Sequence, residues 1–260
     1  MTFNPSLAVY DNLNYFEEDV SKSLNRRERK KQRRAERKAK SQLNIFHVEP
    51  KTHNQSKVFD SYYSGKNIMA HGVAGTGKTF VSMFLALNDV ITGYGEQSKV
   101  VVVRSVVPTR DMGFLPGNQQ EKSKAYELPY QAMAQELTGR SDAYDKLKRD
   151  GKIEFISTSF VRGITFHNSI VNVDERQNLT FDELDSIIAR VGENCRIIFC
   201  GDFRQSDLER DHERKGVLDF IRVIKSMKSF DFVEFEKEDI VRSPLVKDYI
   251  VSKLNNGIHT

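Results

Sequence analysis

A glycine-rich loop in the first third of the chain has the residue types and spacing of a phosphate-binding site. It reads Gly72-Val-Ala-Gly-Thr-Gly-Lys78-Thr79, which meets every required position of the pattern G-x-x-x-x-G-K-[ST]. Glycines let backbone N–H groups close around phosphate oxygens, the lysine reaches the β- and γ-phosphates, and the threonine hydroxyl is a ligand for Mg²⁺. The pattern predicts nucleoside triphosphate binding. The residues expected to bind the nucleotide here are Gly72, Val73, Ala74, Gly75, Thr76, Gly77, Lys78 and Thr79.

The segments on either side of this loop support the prediction. Asn67–Ala70 is a short, mostly apolar run that suits a buried strand, and Phe80–Asn88 suits the helix whose N-terminus faces an anion. The alternative is a glycine-rich turn that fits the pattern by chance. Such a turn would not need a strand before it and a helix after it, so the flanking segments disfavour this alternative.

A second segment, Ser169–Glu175, is an apolar strand that ends in two carboxylates. We expect Asp174 to lie beside the metal that Thr79 also contacts. Glu175 is then left to polarise a water at the γ-phosphate. A nucleotide kinase does not need that second acid, so the pair favours hydrolysis; the alternative is a surface acidic pair.

A third segment, Arg196–Gln205, runs from an apolar strand through a glycine turn into a polar cluster. The carboxyl ends of parallel strands line the ligand crevice of such sheets. An amide such as Gln205 can hydrogen-bond both the attacking water and a γ-phosphate oxygen, which suits a sensor of that phosphate.

Beyond residue 50, short apolar runs alternate with longer periodic segments, the pattern of an α/β sheet. The non-alternating Val/Ile runs Val100–Val103 and Ile170–Val173 indicate strands buried on both faces. The predicted fold is a three-layer P-loop NTPase with a mostly parallel central sheet. The candidate strands are Ile68–Ala70, Val100–Arg104, Ile153–Ser157, Ile170–Val173, Arg196–Cys200 and Phe232–Phe235.

Helices are predicted between these strands. Thr180-Phe-Asp-Glu183 is a capping box that opens a helix running to Val191, with Gly192 as its stop. Ser243-Pro244 is a cap followed by proline at the first helical position of the last helix. Residues 105–150 are the least regular part of the sequence. Pro129, together with further prolines and glycines, is expected to interrupt any helix or strand there. The apolar face expected on the last helix consists of Leu245, Tyr249, Ile250 and Leu254.

Composition limits the classes of protein. The 260 residues contain no apolar run that approaches a membrane span, and the N-terminus lacks the layout of a signal peptide. The two cysteines, Cys195 and Cys200, do not form a disulfide framework. We therefore expect a cytoplasmic location without membrane contact.

The charge is concentrated at the N-terminal end. Residues 1–50 contain 11 Lys/Arg and seven Asp/Glu, whereas residues 51–260 contain 29 of each. All the basic residues of this arm lie between Lys22 and Lys40, where apolar residues nearly vanish. The arm is expected to be disordered or a solvated helix. It is either a solubilising tail or, as we favour, a contact for nucleic-acid phosphates.

Taken together, these segments resemble the PhoH-like family of P-loop ATPases over about Gln55–Tyr249. That family has a fold similar to the ATPase core of superfamily-one helicases, hydrolyses ATP, and is associated with RNA or single-stranded nucleic acid. The segments that carry the resemblance are His71–Thr79, Gly113–Gly117 with Glu121-Lys122, Arg162–Phe166, Val173–Asn178, Gly201–Gln205 and Asp239–Arg242.

Residue by residue, the resemblance implies that Lys78 binds phosphate and that Thr79 and Asp174 hold Mg²⁺. It implies Glu175 as the base that polarises water and Gln205 as the γ-phosphate sensor.

Four further positions follow from the same resemblance. Gln55 stands where related ATPases place an adenine-reading glutamine. Arg242 matches an arginine that supplies transition-state charge, to this subunit or to a neighbouring one. Ile164 replaces a basic residue of the family pattern, which puts nucleic-acid handling or coupling in doubt more than nucleotide binding. Arg176 replaces a small residue, and the pattern assigns no effect to that change.

The sequence favours residues 51–260 as one ATPase domain that acts on RNA or single-stranded DNA, with duplex unwinding as a further expectation. The loop Ser105–Lys124 is either part of the nucleic-acid surface or a folded lid. The alternative function is an ATP-gated binding or assembly module with slow hydrolysis; phosphotransfer to a metabolite is disfavoured by Glu175. A single motor domain leads us to expect a ring-shaped homo-oligomer if the protein translocates. No nuclease domain is expected. The side chains proposed for nucleic-acid contact are Arg110, Phe114, Lys122, Lys124 and Tyr126.

Overall fold

A computed structural model gives the fold. The chain divides into the units Met1–Leu43 and Asn44–Thr260. In the first unit, Lys30 and Lys31 are helical and exposed. Most of the predicted basic arm lies outside the described residues, so its conformation stays a prediction. The structure describes residues 30–31, 43–106, 119–174, 179–202 and 211–257.

Six strands of the second unit form one sheet in the order β3-β2-β4-β5-β1-β6, and every pair of neighbours is parallel. The parallel sheet with intervening helices confirms the predicted α/β fold. The strands are β1 Asn67–Gly72, β2 Lys99–Arg104, β3 Ile153–Ser157, β4 Ser169–Asp174, β5 Arg196–Gly201 and β6 Phe230–Phe235. The helices are α1 His53–Tyr63, α2 Lys78–Thr92, α3 Gln119–Thr138, α4 Ala143–Arg149, α5 Thr158–Val161, α6 Phe181–Ile188, α7 Asp211–Ser226 and α8 Pro244–Asn255.

Helices cover both faces of the central strands. Val171, Val173 and Phe199 pack with α6 and α7 in one apolar cluster. The alternate residues Asn172 and Cys200 contact α2 on the opposite face. Successive side chains of a strand point to opposite faces, so β4 and β5 are buried on both sides. This accounts for their continuous apolar sequences and gives the fold three layers.

All six predicted strands are present. For most of them, the observed bounds differ from the predicted bounds by one or two residues. Ile153–Ser157 is reproduced without change, and β1 extends two residues past Ala70, to Gly72. The first helix after the phosphate loop is longer than predicted, since it covers Lys78–Thr92. Apolar patterning finds the buried centre of an element, but its ends are set by backbone pairing.

The helix after Thr180 begins as predicted but ends early. Both hydrogen bonds of the capping box between Thr180 and Glu183 are present. The helix ends at Ile188, however, because Val191 forms a parallel bridge with Phe166. The prediction that this helix reaches Val191 is therefore wrong.

Two other helices also differ from expectation. α3 continues through Pro129, which we had expected to interrupt any element. α8 starts at Pro244 as predicted, but Ser243 makes no capping hydrogen bond and no residue of the helix is buried. Leu245 and Tyr249 are exposed, so the expected apolar face of α8 does not pack as a core face.

Among the residues that the structure describes, no helix is both long enough and apolar enough to cross a membrane.

The two N-cap positions allow a direct test of the capping box. We expect Thr180→Ala to lower the free energy of unfolding by about 1 kcal/mol, because the Glu183 backbone N–H loses its side-chain acceptor. Ser243→Ala, also at an N-cap, is the matched control and should change stability by less than about 0.5 kcal/mol. Urea unfolding measures both, and equal losses would contradict the capping assignment.

Candidate nucleotide site

The phosphate loop joins β1 to α2 at the carboxyl edge of the sheet, and its three glycines, Gly72, Gly75 and Gly77, have conformations that other residues disfavour. Gly72 has a φ of 124°, and an added Cβ would overlap the carbonyl oxygen of Phe235. The Val73 N–H donates to that same oxygen over 3.1 Å. Gly77 is the left-handed N-cap of α2, with a φ of 80°. These glycines produce the tight bend that a phosphate-binding loop requires.

Lys78 lies inside this loop. Its ammonium donates to the Gly72 carbonyl at 2.8 Å, to the Val73 carbonyl at 2.7 Å and to the Thr76 hydroxyl at 3.2 Å. The side chain is buried. Because a buried cation is stable only with hydrogen-bond partners, the loop carbonyls hold the charge where a phosphate is expected to bind.

Thr79 and Asp174 meet across the gap between α2 and β4. The Thr79 hydroxyl donates to Asp174 Oδ1 over 2.7 Å, and Asp174 is only 6% exposed. Thr79 belongs to the first turn of α2 and Asp174 is the last residue of β4. The two residues predicted to hold Mg²⁺ are therefore in contact.

The donor set at this contact fits Mg²⁺. The metal takes oxygen ligands, and it is commonly bound through one or two protein oxygens together with substrate phosphates and water. Asp174 and Thr79 supply a carboxylate and a hydroxyl oxygen. In the described part of the chain, no group of three or more His, Cys, Asp or Glu side chains forms a metal cage. With one carboxylate and one hydroxyl oxygen, the Thr79–Asp174 contact suits a metal that arrives with phosphate ligands.

Gln55 contacts the phosphate loop directly. Its Nε2 donates to the Thr76 carbonyl over 2.9 Å, and its Oε1 accepts from the Lys51 backbone N–H over 2.8 Å. Gln55 is 3% exposed and lies in the first turn of α1. The residue predicted to read adenine is therefore part of the nucleotide site and is already hydrogen-bonded on both amide atoms.

Arg242 lies against the phosphate loop of its own chain. A Cβ built on Gly75 would be 3.1 Å from Arg242 Cγ and 3.3 Å from Ile250 Cδ1. The preceding residue, Val241, donates its N–H to the Gly75 carbonyl over 3.1 Å. The segment between β6 and α8 is thus fastened to the loop and carries the arginine beside it.

These residues surround one cavity of about 560 Å³. Several lining residues were not predicted as site residues, and Arg104 and Asp202 are the charged ones on the strand ends. Arg104 ends β2 and is in register with Asp174. The positions of Arg104 and Asp202 at the carboxyl ends of parallel strands, which meet at one edge of the sheet, could have indicated both residues. The lining residues on the loop and strand ends are Ala74, Gly75, Gly77, Lys78, Thr79, Arg104, Asp174, Gly201, Asp202 and Arg242.

Several predicted residues lie outside the described residues. Glu175 directly follows Asp174, and Gln205 is three positions after Asp202. Arg176 and most of the loop Ser105–Lys124, with Arg110 and Phe114, are also outside them. Their roles stay predictions.

The C-terminal end of that predicted nucleic-acid loop is described. Lys124 is exposed, as a phosphate contact requires. The Tyr126 ring has the Arg104 guanidinium 5.7 Å from its centroid. Tyr126 is therefore within cation–π distance of an arginine of the same chain. Ile164, where a basic residue was expected, packs against the apolar cluster of α6 and α7.

Comparison with known proteins decides the family. The model of the PhoH-like protein family matches residues 47–253. The chain belongs to the PhoH-like family. Protein PhoH of Escherichia coli strain K12 is 35% identical over 180 residues, which are 68% of this chain and 50% of that relative. The PhoH-like protein of Mycobacterium leprae strain TN is 29% identical over 205 residues, 78% of this chain and 57% of the relative. This PhoH-like chain spans about half the length of the curated relatives it matches.

Two solved structures are similar to this PhoH-like chain at low identity. The large terminase of a thermophilic bacteriophage, in complex with ADP, is 15% identical, with a TM-score of 0.44 over 76% of this chain and 48% of the terminase. Bacteroides Pif1 bound to ssDNA is 12% identical, with a TM-score of 0.37 over 82% of this chain and 48% of Pif1.

The close approach at Gly72 yields a stability test. We expect Gly72→Ala to lower the free energy of unfolding by more than about 3 kcal/mol, because the new methyl group would overlap the Phe235 carbonyl oxygen and displace β6. Gly65→Ala is the matched control, because Gly65 has a φ of 80° with open space around it. It should cost about 1 kcal/mol. Urea unfolding of both variants that gave equal losses would show that the loop has room for a side chain.

Proposed function

We propose that this chain binds ATP with Mg²⁺ and hydrolyses the bond to the γ-phosphate. The observation that carries the proposal is the 2.7 Å hydrogen bond from Thr79 to Asp174, which is made beside Lys78 in the glycine loop. A loop, a cation, a hydroxyl and a carboxylate are the protein groups that P-loop ATPases use on Mg·ATP. The family match supports the same class of function.

Each residue has a proposed task. Lys78 exchanges its loop carbonyl partners for phosphate oxygens, while Thr79 and Asp174 hold Mg²⁺. When bound, Mg²⁺ neutralises charge on the phosphate oxygens. Glu175 is the proposed general base, since it directly follows Asp174 at the end of β4, and Gln205 is the proposed γ-phosphate sensor.

Gln55 and Arg242 support the loop in different ways. We assign Gln55 to anchoring the loop through the Thr76 carbonyl; one N–H and one lone pair of its amide are left for adenine. Arg242 is assigned to charge on phosphates bound by its own chain, because it lies beside Gly75. A ring-shaped oligomer consequently has no support from Arg242, and the oligomeric state stays a prediction.

Nucleic acid is the proposed partner. The concentration of positive charge between Lys22 and Lys40 supports this, as does the exposed Lys124 in the second turn of α3. RNA and single-stranded DNA are the proposed substrates. The second candidate is an ATP-gated binding module with slow hydrolysis, and its support is the same basic arm.

One assay separates these two functions. Steady-state ATP hydrolysis is measured alone and with single-stranded RNA, single-stranded DNA or duplex. Stimulation by one of them supports an ATPase that acts on nucleic acid. Slow hydrolysis unchanged by all three, together with ATP-dependent nucleic-acid binding, would favour the binding module.

Two substitutions separate ATP binding from hydrolysis. We expect Glu175→Gln to retain Mg·ATP while turnover falls by ~10²-fold, because the general base is lost. Lys78→Ala should instead abolish ATP binding, since it removes the ammonium held in the loop. Fluorescent-nucleotide binding and phosphate release measure the two effects.

Lys152→Ala is the matched control for the lysine. Its ammonium also donates to a backbone carbonyl, that of Val90 at 2.9 Å, but Lys152 precedes β3 at the opposite edge of the sheet. This variant should bind and hydrolyse ATP as the wild type does. Hydrolysis by Lys78→Ala within twofold of wild type would refute the phosphate-loop assignment.

Deletions of the arm test its contact with nucleic acid. Removal of residues 1–41 takes away 11 basic and six acidic residues. We expect normal basal ATPase activity but weaker binding of single strands, with log K against log[salt] shallower by about 0.7 per lost phosphate contact. Titrations at several salt concentrations measure this slope.

A shorter deletion is the control for the arm. Residues 1–21 contain four acidic residues and no Lys or Arg, so their removal should not weaken binding. If removal of residues 1–41 leaves affinity and slope unchanged, the arm is a solvated tail.

A further inference from the structure

A tyrosine on α3 holds the second oxygen of the carboxylate that we assign to the metal. The Tyr130 hydroxyl donates to Asp174 Oδ2 over 2.7 Å, while Thr79 donates to Oδ1 over 2.7 Å. Tyr130 is 0% exposed. Each oxygen of Asp174 is therefore bonded from a different helix, Oδ1 from α2 and Oδ2 from α3.

Contacts on both sides of Tyr130 fix the position of its hydroxyl. Glu127, one turn earlier on α3, accepts from the Tyr144 hydroxyl at 2.8 Å and from Lys148 Nζ at 2.7 Å, both on α4. Burial, and then the bond to Glu127, raise the pKa of Tyr144, so its hydroxyl stays a donor. The Tyr130 ring itself lies 5.9 Å from that of Phe155 on β3. α3 is thus tied to α4 and to the sheet around the tyrosine.

The part of α3 next to Tyr130 also faces the nucleotide cavity. Pro129 and Met133 line the cavity, together with Lys78 and Asp174. Pro129 has no backbone N–H, so α3 lacks one helical hydrogen bond immediately before the tyrosine. The turn of α3 that leads into Tyr130 is therefore held by one backbone hydrogen bond fewer than a regular helical turn.

We propose that Tyr130 is a positioning residue for the metal, which sets the orientation of the Asp174 carboxylate from α3. This rests on the proposed function of the site. A carboxylate that accepts one hydrogen bond can rotate about its Cβ–Cγ bond, whereas bonds to both oxygens from separate helices fix its plane. Partners that orient a metal ligand in this way raise metal affinity, and their loss typically weakens it by ~10- to 100-fold. A displacement of α3 would consequently change Mg²⁺ affinity without a change in the phosphate loop.

Tyr130→Phe removes only the hydroxyl and leaves the ring in place. Affinity for fluorescent ADP is measured in EDTA and at increasing Mg²⁺. We expect the ADP affinity in EDTA to stay within twofold of wild type, because the loop is unchanged. The Mg²⁺ concentration that gives half of the full change in ADP affinity should rise by ~10-fold. Circular dichroism at the assay temperature checks that the variant is folded, because a partly unfolded protein would raise the apparent midpoint by the inverse of its folded fraction.

Tyr62→Phe is the matched control. Tyr62 is also 0% exposed and donates to a carboxylate, Asp89, over 2.7 Å, but it lies on α1 outside the cavity lining. This variant should lose comparable stability and keep the wild-type Mg²⁺ midpoint. An equal shift in both variants would mean that general loosening of the fold causes it, and would overturn the positioning role.

The remaining outcomes are also decisive. An unchanged Mg²⁺ midpoint in Tyr130→Phe, with wild type still responding to Mg²⁺, overturns the positioning role and leaves the proposed function intact. A wild-type protein that binds neither ADP nor ATP overturns the proposed function, and the positioning role with it.

Discussion

The position of α2 on the sheet determines how Thr79 meets Asp174, and a buried polar contact fixes that position. Ser82 of α2 accepts from Asn172 Nδ2 of β4 at 2.9 Å and from Cys200 Sγ of β5 at 3.3 Å. Apolar packing alone permits small slides of a helix, whereas a buried hydrogen bond is costly to break. Thr79 lies three residues before Ser82 on the same helix face, and Asp174 lies two residues after Asn172 on the same strand face. The buried contact therefore brings Thr79 to Asp174.

Much of the fold was predictable because its cause is local or compositional. Strands β2 and β4 are buried on both faces, which required the continuous Val/Ile runs that identified them. The start of α6 was predictable because a capping box spans four residues. Its end was not, since Val191 leaves the helix to pair with Phe166, far away in the sequence. α3 was missed because the burial of Tyr130, Ala134 and Leu137 offsets the cost of the internal proline.

The candidate site also contains residues that local sequence predicted and residues that only tertiary structure brings together. The residues of the phosphate loop and Asp174 were identifiable from motifs of a few residues. Tyr130 and Asp174 are 44 positions apart, and only the packing of α3 brings them together. For Gln55 the family pattern indicated the position, but its partner, the Thr76 carbonyl, follows from how α1 meets the loop. Motifs indicated the residues proposed to bind the ligand, whereas the residues that hydrogen-bond to them became evident only from the tertiary structure.

The buried ammonium of Lys78 shows how this support bears on binding. An ammonium exposed to water has to lose its hydration before it bonds a phosphate, and that loss costs much of the energy gained. Lys78 has lost it during folding, in exchange for the carbonyls of Gly72 and Val73. Charges also interact more strongly in a site from which water is excluded. Under the proposed function, a phosphate would replace these neutral carbonyl partners with charged oxygens. The dehydration of the lysine would then have been completed during folding, so a phosphate that binds would have to lose only its own hydration and displace the two carbonyls.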